Sequence, residues 1–302
     1  MQEKLISVVI PMYYEEKVAE ECCRRLKSVM EGCGYPFELV FVNDGSRDGT
    51  QDILEQLASR DKRVKVISFS RNFGHQAAVT AGIDKAGGRA IIIIDADLQD
   101  PPELIIEMLS LWEQGYEVVY AKRKRRKGEG VFKRISASLF YRVLDKLSDT
   151  RIPLDTGDFR LIDAKAADVL RSMRERNRFL RGMVSWIGFR QIPVEYEREE
   201  RFAGETKYPL RKMIKLALDG ICSFSCKPLK LSQYLGFFAV ISAPVFFAGS
   251  AIMAAVVFLG GVQLIAIGIL GEYIGRMYEE SKGRPLYIID KEININGEKE
   301  KE

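Results

Sequence analysis

The chain has 302 residues, with 46 Lys and Arg against 42 Asp and Glu and a net charge of +4. That length holds one large domain or two ordinary ones. The five cysteines do not form two zinc-type pairs and His75 is the sole histidine, which argues against a structural zinc site and suits reduced cytosolic thiols.

Met1 leads almost directly into a first strand, Leu5–Ile10, so no signal peptide is expected. Val18, Cys22, Leu26 and Val29 fall at helical spacing and predict a helix over Glu15–Glu31. Strand Phe37–Val42, helix Asp48–Arg60, strand Val64–Phe69, small-residue helix Gly74–Ala86 and apolar strand Ala90–Ile94 follow. Helix Pro101–Trp112 carries proline in its first turn, where proline is tolerated. Apolar strands alternating with helices predict an α/β fold, a mostly parallel sheet covered on both faces. Such sheets bind ligands at the carboxyl ends of their strands. Two acidic clusters fall there, Asn43-Asp44-Gly45-Ser46 and Asp95-Ala96-Asp97.

The middle is less regular. It reads as strand Glu117–Ala121, helix Phe132–Leu147, short strand Asp158–Leu161, helix Ala164–Met173, strand Phe189–Glu195 and charged loop Arg198–Tyr208. The basic run Lys122–Lys127 favours an anionic partner, phosphate or membrane surface, over a solvated loop. No nucleic-acid module accompanies it. Leu210–Leu218 is amphipathic, with Arg211, Lys212 and Lys215 beside Leu210, Met213, Ile214 and Leu218, which suits a membrane interface.

Residues 231–271 carry no charged side chain. The run would be about 60 Å long as helix, too long for one span of roughly 20 residues and just enough for two. Gly249-Ser250 is the best turn, giving segments 231–248 and 251–271. Lys227 and Lys230 before the run, and Arg276, Lys282 and Arg284 after it, place both flanks in the cytoplasm by the positive-inside rule. The expected organisation is a catalytic domain over 1–209, a juxtamembrane region over 210–230, a transmembrane hairpin over 231–272 and a cytoplasmic tail over 273–302. From Lys291 the tail is polar and expected to be disordered.

Asp95 and Asp97 sit two apart on an extended segment, so their carboxylates splay. One can reach a divalent metal while the other meets a ribose or the same metal shell. Taken alone, the pair could equally cap the helix before Pro101. Asp44, between a strand and the glycines 45 and 49, could accept hydrogen bonds from a base or ribose; an ordinary turn is the alternative. Both loops leave the same edge of the sheet, so each strengthens the other.

Six motifs occur in order: Pro11-Met-Tyr-Tyr-Glu15-Glu16, Asn43-Asp-Gly-Ser-x-Asp-Gly-Thr50, Arg71-Asn-Phe-Gly-His75, Asp95-Ala-Asp-Leu-Gln-Asp-Pro-Pro102, Gly157-Asp-Phe-Arg-Leu161 and Arg201-x-x-Gly-Glu-Thr-Lys207. Together they resemble the inverting transferases of glycosyltransferase family 2, in particular the polyprenyl-phosphate branch related to dolichyl-phosphate mannose synthase. The resemblance implies a GT-A, Rossmann-like catalytic domain followed by a transmembrane helical hairpin. It implies Pro11, Tyr13, Glu15, Asp44, Arg71, Asp95 and Gln99 around a nucleotide sugar, and Asp95 and Asp97 on Mg2+ or Mn2+. It implies Arg123, Arg134, Ser138 and Arg201 at donor or acceptor phosphates, and Asp97, Asp158, Arg201 and Lys207 in catalysis, with Asp158 the family's candidate base. A strong base is not needed, because a phosphomonoester with a second pKa near 6 is already largely dianionic at neutral pH. His75 reads as a packing or sugar-side residue.

The implied partners are a nucleotide-diphosphate sugar, undecaprenyl phosphate or another polyprenyl phosphate, the membrane and further copies of the chain. The implied location is the plasma (inner) membrane, crossed more than once, with the catalytic domain cytoplasmic. Glucose from UDP-glucose is the donor implied by resemblance; mannose, N-acetylglucosamine and aminoarabinose derivatives are alternatives. A processive polysaccharide synthase would carry a Gln-x-x-Arg-Trp motif, which is absent. A silent nucleotide-sugar-binding scaffold would not need the intact Asp44, Asp95, Asp97 and arginines.

Overall fold

Strands β1 (Ile6–Met12), β2 (Phe37–Asn43), β3 (Val64–Phe69) and β4 (Ala90–Ile93) are buried at every position, as strands covered on both faces must be. In the computed structural model of the chain the described residues are 4–124, 156–197, 234, 236–238 and 251–295. β1 pairs in parallel with β2 and β4, and β2 with β3. β5 (Val118–Arg123), β6 (Thr156–Asp163), β7 (Gln191–Tyr196) and β8 (Ile289–Ile293) complete an eight-stranded sheet in the order β7-β5-β6-β4-β1-β2-β3-β8. β6 runs antiparallel to both β4 and β5. Its first residues therefore lie at the edge where β1–β5 end.

Strand alternation divides the core in two. Val8, Ile10 and Ile92 face α1 (Ala19–Gly32), α2 (Thr50–Arg60) and α4 (Leu104–Glu113), meeting Leu26, Leu54 and Met108. Val9, Ile91 and Ile93 face α3 (His75–Lys85), α5 (Ala164–Ser172) and α6 (Leu180–Trp186), meeting Val79, Leu170 and Met183. The expected mostly parallel α/β sheet is observed. α6, which the sequence reading left unassigned, is an addition.

Two details differ from expectation near the site. β1 does not stop before Pro11 but runs through it to Met12. Met12 O accepts from Asp44 N and Val9 O from Ile94 N, so position 11 points to the side where β4 has already ended, and the missing N–H of proline leaves no ladder bond unmade. α1 begins at Ala19 rather than Glu15, because Glu15 O accepts from Val18 N and Ala19 N in a preceding turn.

The opposite edge is pinned by a buried polar cluster. Glu38 accepts from Ser7 Oγ (2.5 Å), Lys65 Nζ (2.6 Å) and Gly87 N (2.8 Å), while Gly88 N donates to Ser7 Oγ at 2.9 Å.

Helix α7 (Ala251–Ser281) begins just after the expected turn but continues ten residues past the expected end at 271. Arg276 with Glu272, and Lys282 with Glu279, supply the charged pairs of that extension. Phe258–Ser281 is long and apolar enough to cross a membrane by length and composition. Segment 231–248 falls largely outside the described residues, as do helices 132–147 and 210–218, the turn at Gly249-Ser250, loop 198–208, Cys222 and Cys226.

The expected disorder from Lys291 is corrected. Lys291 lies within β8, which pairs antiparallel with β3, Val66 opposite Ile293. The open edge of β3 offers a backbone ladder, and side chains lock the register: Lys291 on Glu55 (2.8 Å), Glu292 on Lys85 (2.7 Å), and Asn294 Nδ2 on the carbonyls of Ala58 and Val64.

Candidate active site

The loops after β1 and β2 are stitched together. Tyr14 N donates to Ser46 Oγ, Glu15 N to Thr50 Oγ1 and Gly49 N to Glu16 Oε2. Tyr13 and Tyr14 pack edge to face on the outside, ring centroids 4.6 Å apart. Tyr14 and Leu98 both hold φ of +56°, a left-handed backbone unusual for such side chains and typical of functional loops.

Asp44 is buried and its carboxylate is engaged by the loop after β3. Oδ1 accepts from Phe73 N at 2.6 Å; Oδ2 accepts from Gly74 N at 2.9 Å and Asn72 Nδ2 at 2.8 Å. Burial pushes its pKa up, against the pull of these donors. Gly45 has φ of +68°, and a Cβ there would lie 2.4 Å from Arg71 C. Glycine is therefore what lets the two loops touch. Arg71 lies outermost, its guanidinium 3.9 Å from the Phe73 ring centroid.

Asp95 and Asp97 follow β4, and Asp97 Oδ1 accepts from Gln99 N. Facing them is a row of alternating charge. Arg181 Nε donates to Asp158 Oδ1 at 2.8 Å, Asp158 Oδ2 lies 3.1 Å from His75 Nε2, and His75 Nε2 lies 3.8 Å from Asp95 Oδ1. Burial, reinforced by the neighbouring carboxylates, raises Asp95 to about 6. Burial also works against a charged His75, but the Asp158 hydrogen bond and the charge of Asp95 outweigh it and raise the imidazole to about 9. For Asp158 burial is overcome by Arg181 and His75, which hold the carboxyl well below its usual range. A carboxylate so stabilised is a poor proton acceptor at neutral pH.

A second cation stands beside this row. Arg123 ends β5 opposite Tyr196 in β7. Its Nε donates to Tyr196 Oη, and Tyr196 Oη donates to buried Asp100. The guanidinium passes over Gly157, where a Cβ would lie 3.1 Å from Nη2. Arg160, nearly buried, donates to Gly157 O and sits 4.0 Å from Asp158. After β4, Asp95 thus faces His75 and Asp100 faces Arg123, while Asp158 on β6 gathers His75, Arg160 and Arg181. The carboxylates can hold a cation and the cations can hold phosphate oxygens.

Of the sequence-derived site residues, Tyr13, Glu15, Asp44, Arg71, Asp95, Asp97 and Gln99 lie in the loops of this one edge, and Pro11, Arg123 and Asp158 in the strand ends that border them. Arg134, Ser138, Arg201 and Lys207 are outside the described residues. Sequence reasoning did not single out Arg181, Tyr196 and Asp100; His75, read as a packing or sugar-side residue, lies between Asp158 and Asp95. The only local sign was an arginine at the start of an apolar stretch. What brings Arg181 to the candidate site is the antiparallel β6, which delivers Asp158 to it across 23 residues.

Residues 7–171 match the family described as glycosyl transferase family 2. The chain belongs to glycosyltransferase family 2. It is a glycosyltransferase, with an α/β sheet of the GT-A type. The uncharacterized glycosyltransferase YkcC of Bacillus subtilis (strain 168) is 51% identical over 97% of this chain and 95% of its own length. The bactoprenol glucosyl transferase of Shigella phage SfV is 42% identical over 95% of this chain and 98% of its own. Among solved structures, glucosyl-3-phosphoglycerate synthase from Mycobacterium tuberculosis overlays with a TM-score of 0.47 at 19% identity, covering 72% of this chain and 78% of that one.

Proposed function

We propose that this family 2 glycosyltransferase moves glucose from UDP-glucose to a polyprenyl phosphate such as undecaprenyl phosphate, with inversion, at the cytoplasmic face of the membrane. The observation that carries the reading is the meeting of Asp95 with His75 and Asp158 on the sheet edge that also carries Asp97, in a chain 42% identical over nearly its whole length to a bactoprenol glucosyl transferase. A phosphate oxygen of the acceptor attacks the anomeric carbon, the bond from that carbon to the diphosphate breaks, and the nucleoside diphosphate leaves with the electron pair.

Asp95 and Asp97 would hold a Mg2+ or Mn2+ ion, and the donor set fits one. The raised pKa of Asp95 reports crowding by Asp158, Asp100 and Asp97 as well as burial, a charge that a divalent cation relieves. Among the described residues no three His, Cys, Asp or Glu side chains form a metal cage, so diphosphate oxygens would complete the shell, as is usual for magnesium. When bound, the ion neutralises the departing diphosphate. Arg123, held by Tyr196 and Asp100, stabilises phosphate charge, and with Arg181 it brings two anions together. Asp158 stays ionised and orients His75 and a sugar hydroxyl rather than taking a proton.

The return of β8 to the sheet supports an even number of crossings. Residues 289–293 pair with β3, so the chain after α7 lies on the same side as the catalytic fold, and a crossing made by α7 needs a second one from residues 231–248. The test is incubation of the full-length enzyme in membranes with labelled nucleotide sugars and undecaprenyl phosphate. Label from UDP-glucose should enter the lipid phase only with metal and acceptor present. Lipid labelling from a different donor would change the sugar, and no lipid product from any donor would overturn the reading.

A further inference from the structure

The turn that leads into Arg181 is held by polar ties as well as by the buried Phe179 and Leu180. A cavity of about 200 Å³ adjoins residues 176–179, with Phe73, Ala77 and Leu286 on its other walls. Polar ties among the described residues fix the turn. Arg176 N donates to Glu280 Oε1 at 2.7 Å, Arg176 Nη1 donates to Arg284 O at 3.1 Å, Arg178 donates to Leu170 O and Met173 O, and Leu180 N donates to Gln76 Oε1 at 3.0 Å. The first two come from the end of α7 and the chain just beyond it. The last places the turn against the residue next to His75. Arg181 then reaches Asp158, and Asp158 reaches His75. A continuous line of contacts runs from the long apolar helix to the charged row of the active site.

We propose that Glu280 is a positioning residue for the transferase site: it fixes the Arg176–Arg181 turn and so the reach of Arg181 to Asp158. The placement of α7 is thereby read by the active site. The activity arm of the test rests on the proposed glucosyl transfer; the structural arm does not. Glu280→Ala removes the acceptor of Arg176 N, whereas Glu280→Gln keeps an oxygen in the same place and loses only the charge.

The experiment compares wild type, Glu280→Ala, Glu280→Gln and Arg176→Met in the full chain in detergent, by hydrogen exchange over Arg176–Arg181 and by steady-state transfer. Glu280→Ala should expose the amides of the turn and lower kcat roughly three- to tenfold, the scale of one partly exposed hydrogen bond, with KM for the donor unchanged. Glu280→Gln should restore both readouts, and Arg176→Met should shift them in the direction of Glu280→Ala. Unchanged exchange and kcat in Glu280→Ala would overturn the proposal, as would a Glu280→Gln variant equally impaired. If wild type makes no lipid-linked glucose the proposed function fails, while the exchange comparison still decides the role of Glu280.

Discussion

Replacing Asp44 with asparagine should release the loop Arg71–Gly74. The carboxylate accepts from three donors, Phe73 N on one oxygen and Gly74 N with Asn72 Nδ2 on the other. An amide keeps one acceptor oxygen. Turned toward Phe73 N, it points its NH2 at two N–H donors and loses both bonds. Turned the other way, it loses the bond to Phe73 N and sets one donor against another. Hydrogen bonds to a charged group are each worth about 1.5–3 kcal/mol, so the expected loss is about 3 kcal/mol, a large part of the 5–15 kcal/mol typical of a domain. Trp112 and Trp186, the only tryptophans, both lie in the catalytic fold and report its unfolding by fluorescence in mild detergent. The midpoint should fall with an unchanged slope, and the amides of Phe73 and Gly74 should lose protection from exchange. A variant within about 0.5 kcal/mol of wild type, with both amides still protected, would refute the assignment of this carboxylate to the loop.

Asp97→Asn should abolish transfer while the unfolding midpoint stays near wild type; turnover near wild type with the same metal dependence would remove Asp97 from the metal site. Glu38→Ala should cost about 3–5 kcal/mol, because it removes the carboxylate paired with buried Lys65 and the acceptor of Ser7 Oγ and Gly87 N, and thermal unfolding would show it. Asp61 is held well below the usual carboxylate range by its hydrogen bonds to Arg63, with Lys27 assisting and burial opposing. A depressed folded pKa gives stability that is present above the unfolded value near 3.9 and lost as pH falls through the folded one. Wild type should therefore lose stability as pH falls below about 4, and Asp61→Asn should flatten that slope in an acid titration of the unfolding midpoint.

The edge that carries the candidate site was legible because its signals are local. Asp95-Ala96-Asp97 after an apolar strand, and Asn43-Asp44-Gly45 after another, sit where a parallel sheet must end. The role of Asp44 was less legible, since its three donors come from residues 72–74 and only the folded chain shows the loop closing on it. His75 and Arg181 were harder still. Each is an ordinary side chain until β6 brings Asp158 between them. β8 was misread as disorder because Ile289-Asp-Lys-Glu-Ile293 is polar at its centre, a composition that suits an edge strand as well as a tail. Its pairing depends on Asn294 and Lys291 finding partners more than 200 residues away.

That edge strand has a consequence for how the protein is made. β3 is complete once Phe69 has been synthesised, yet its partner is residues 289–293. At about 5–20 residues per second, roughly ten seconds or more separate the two. During that interval one margin of the sheet stands unpaired, the kind of margin on which other chains add. The sheet cannot close until α7 has been made and the chain beyond it has come back to β3. Under the proposed membrane topology, completion of the sheet would double as a checkpoint on insertion: a molecule whose apolar run ended on the wrong side would have no way to deliver its last strand.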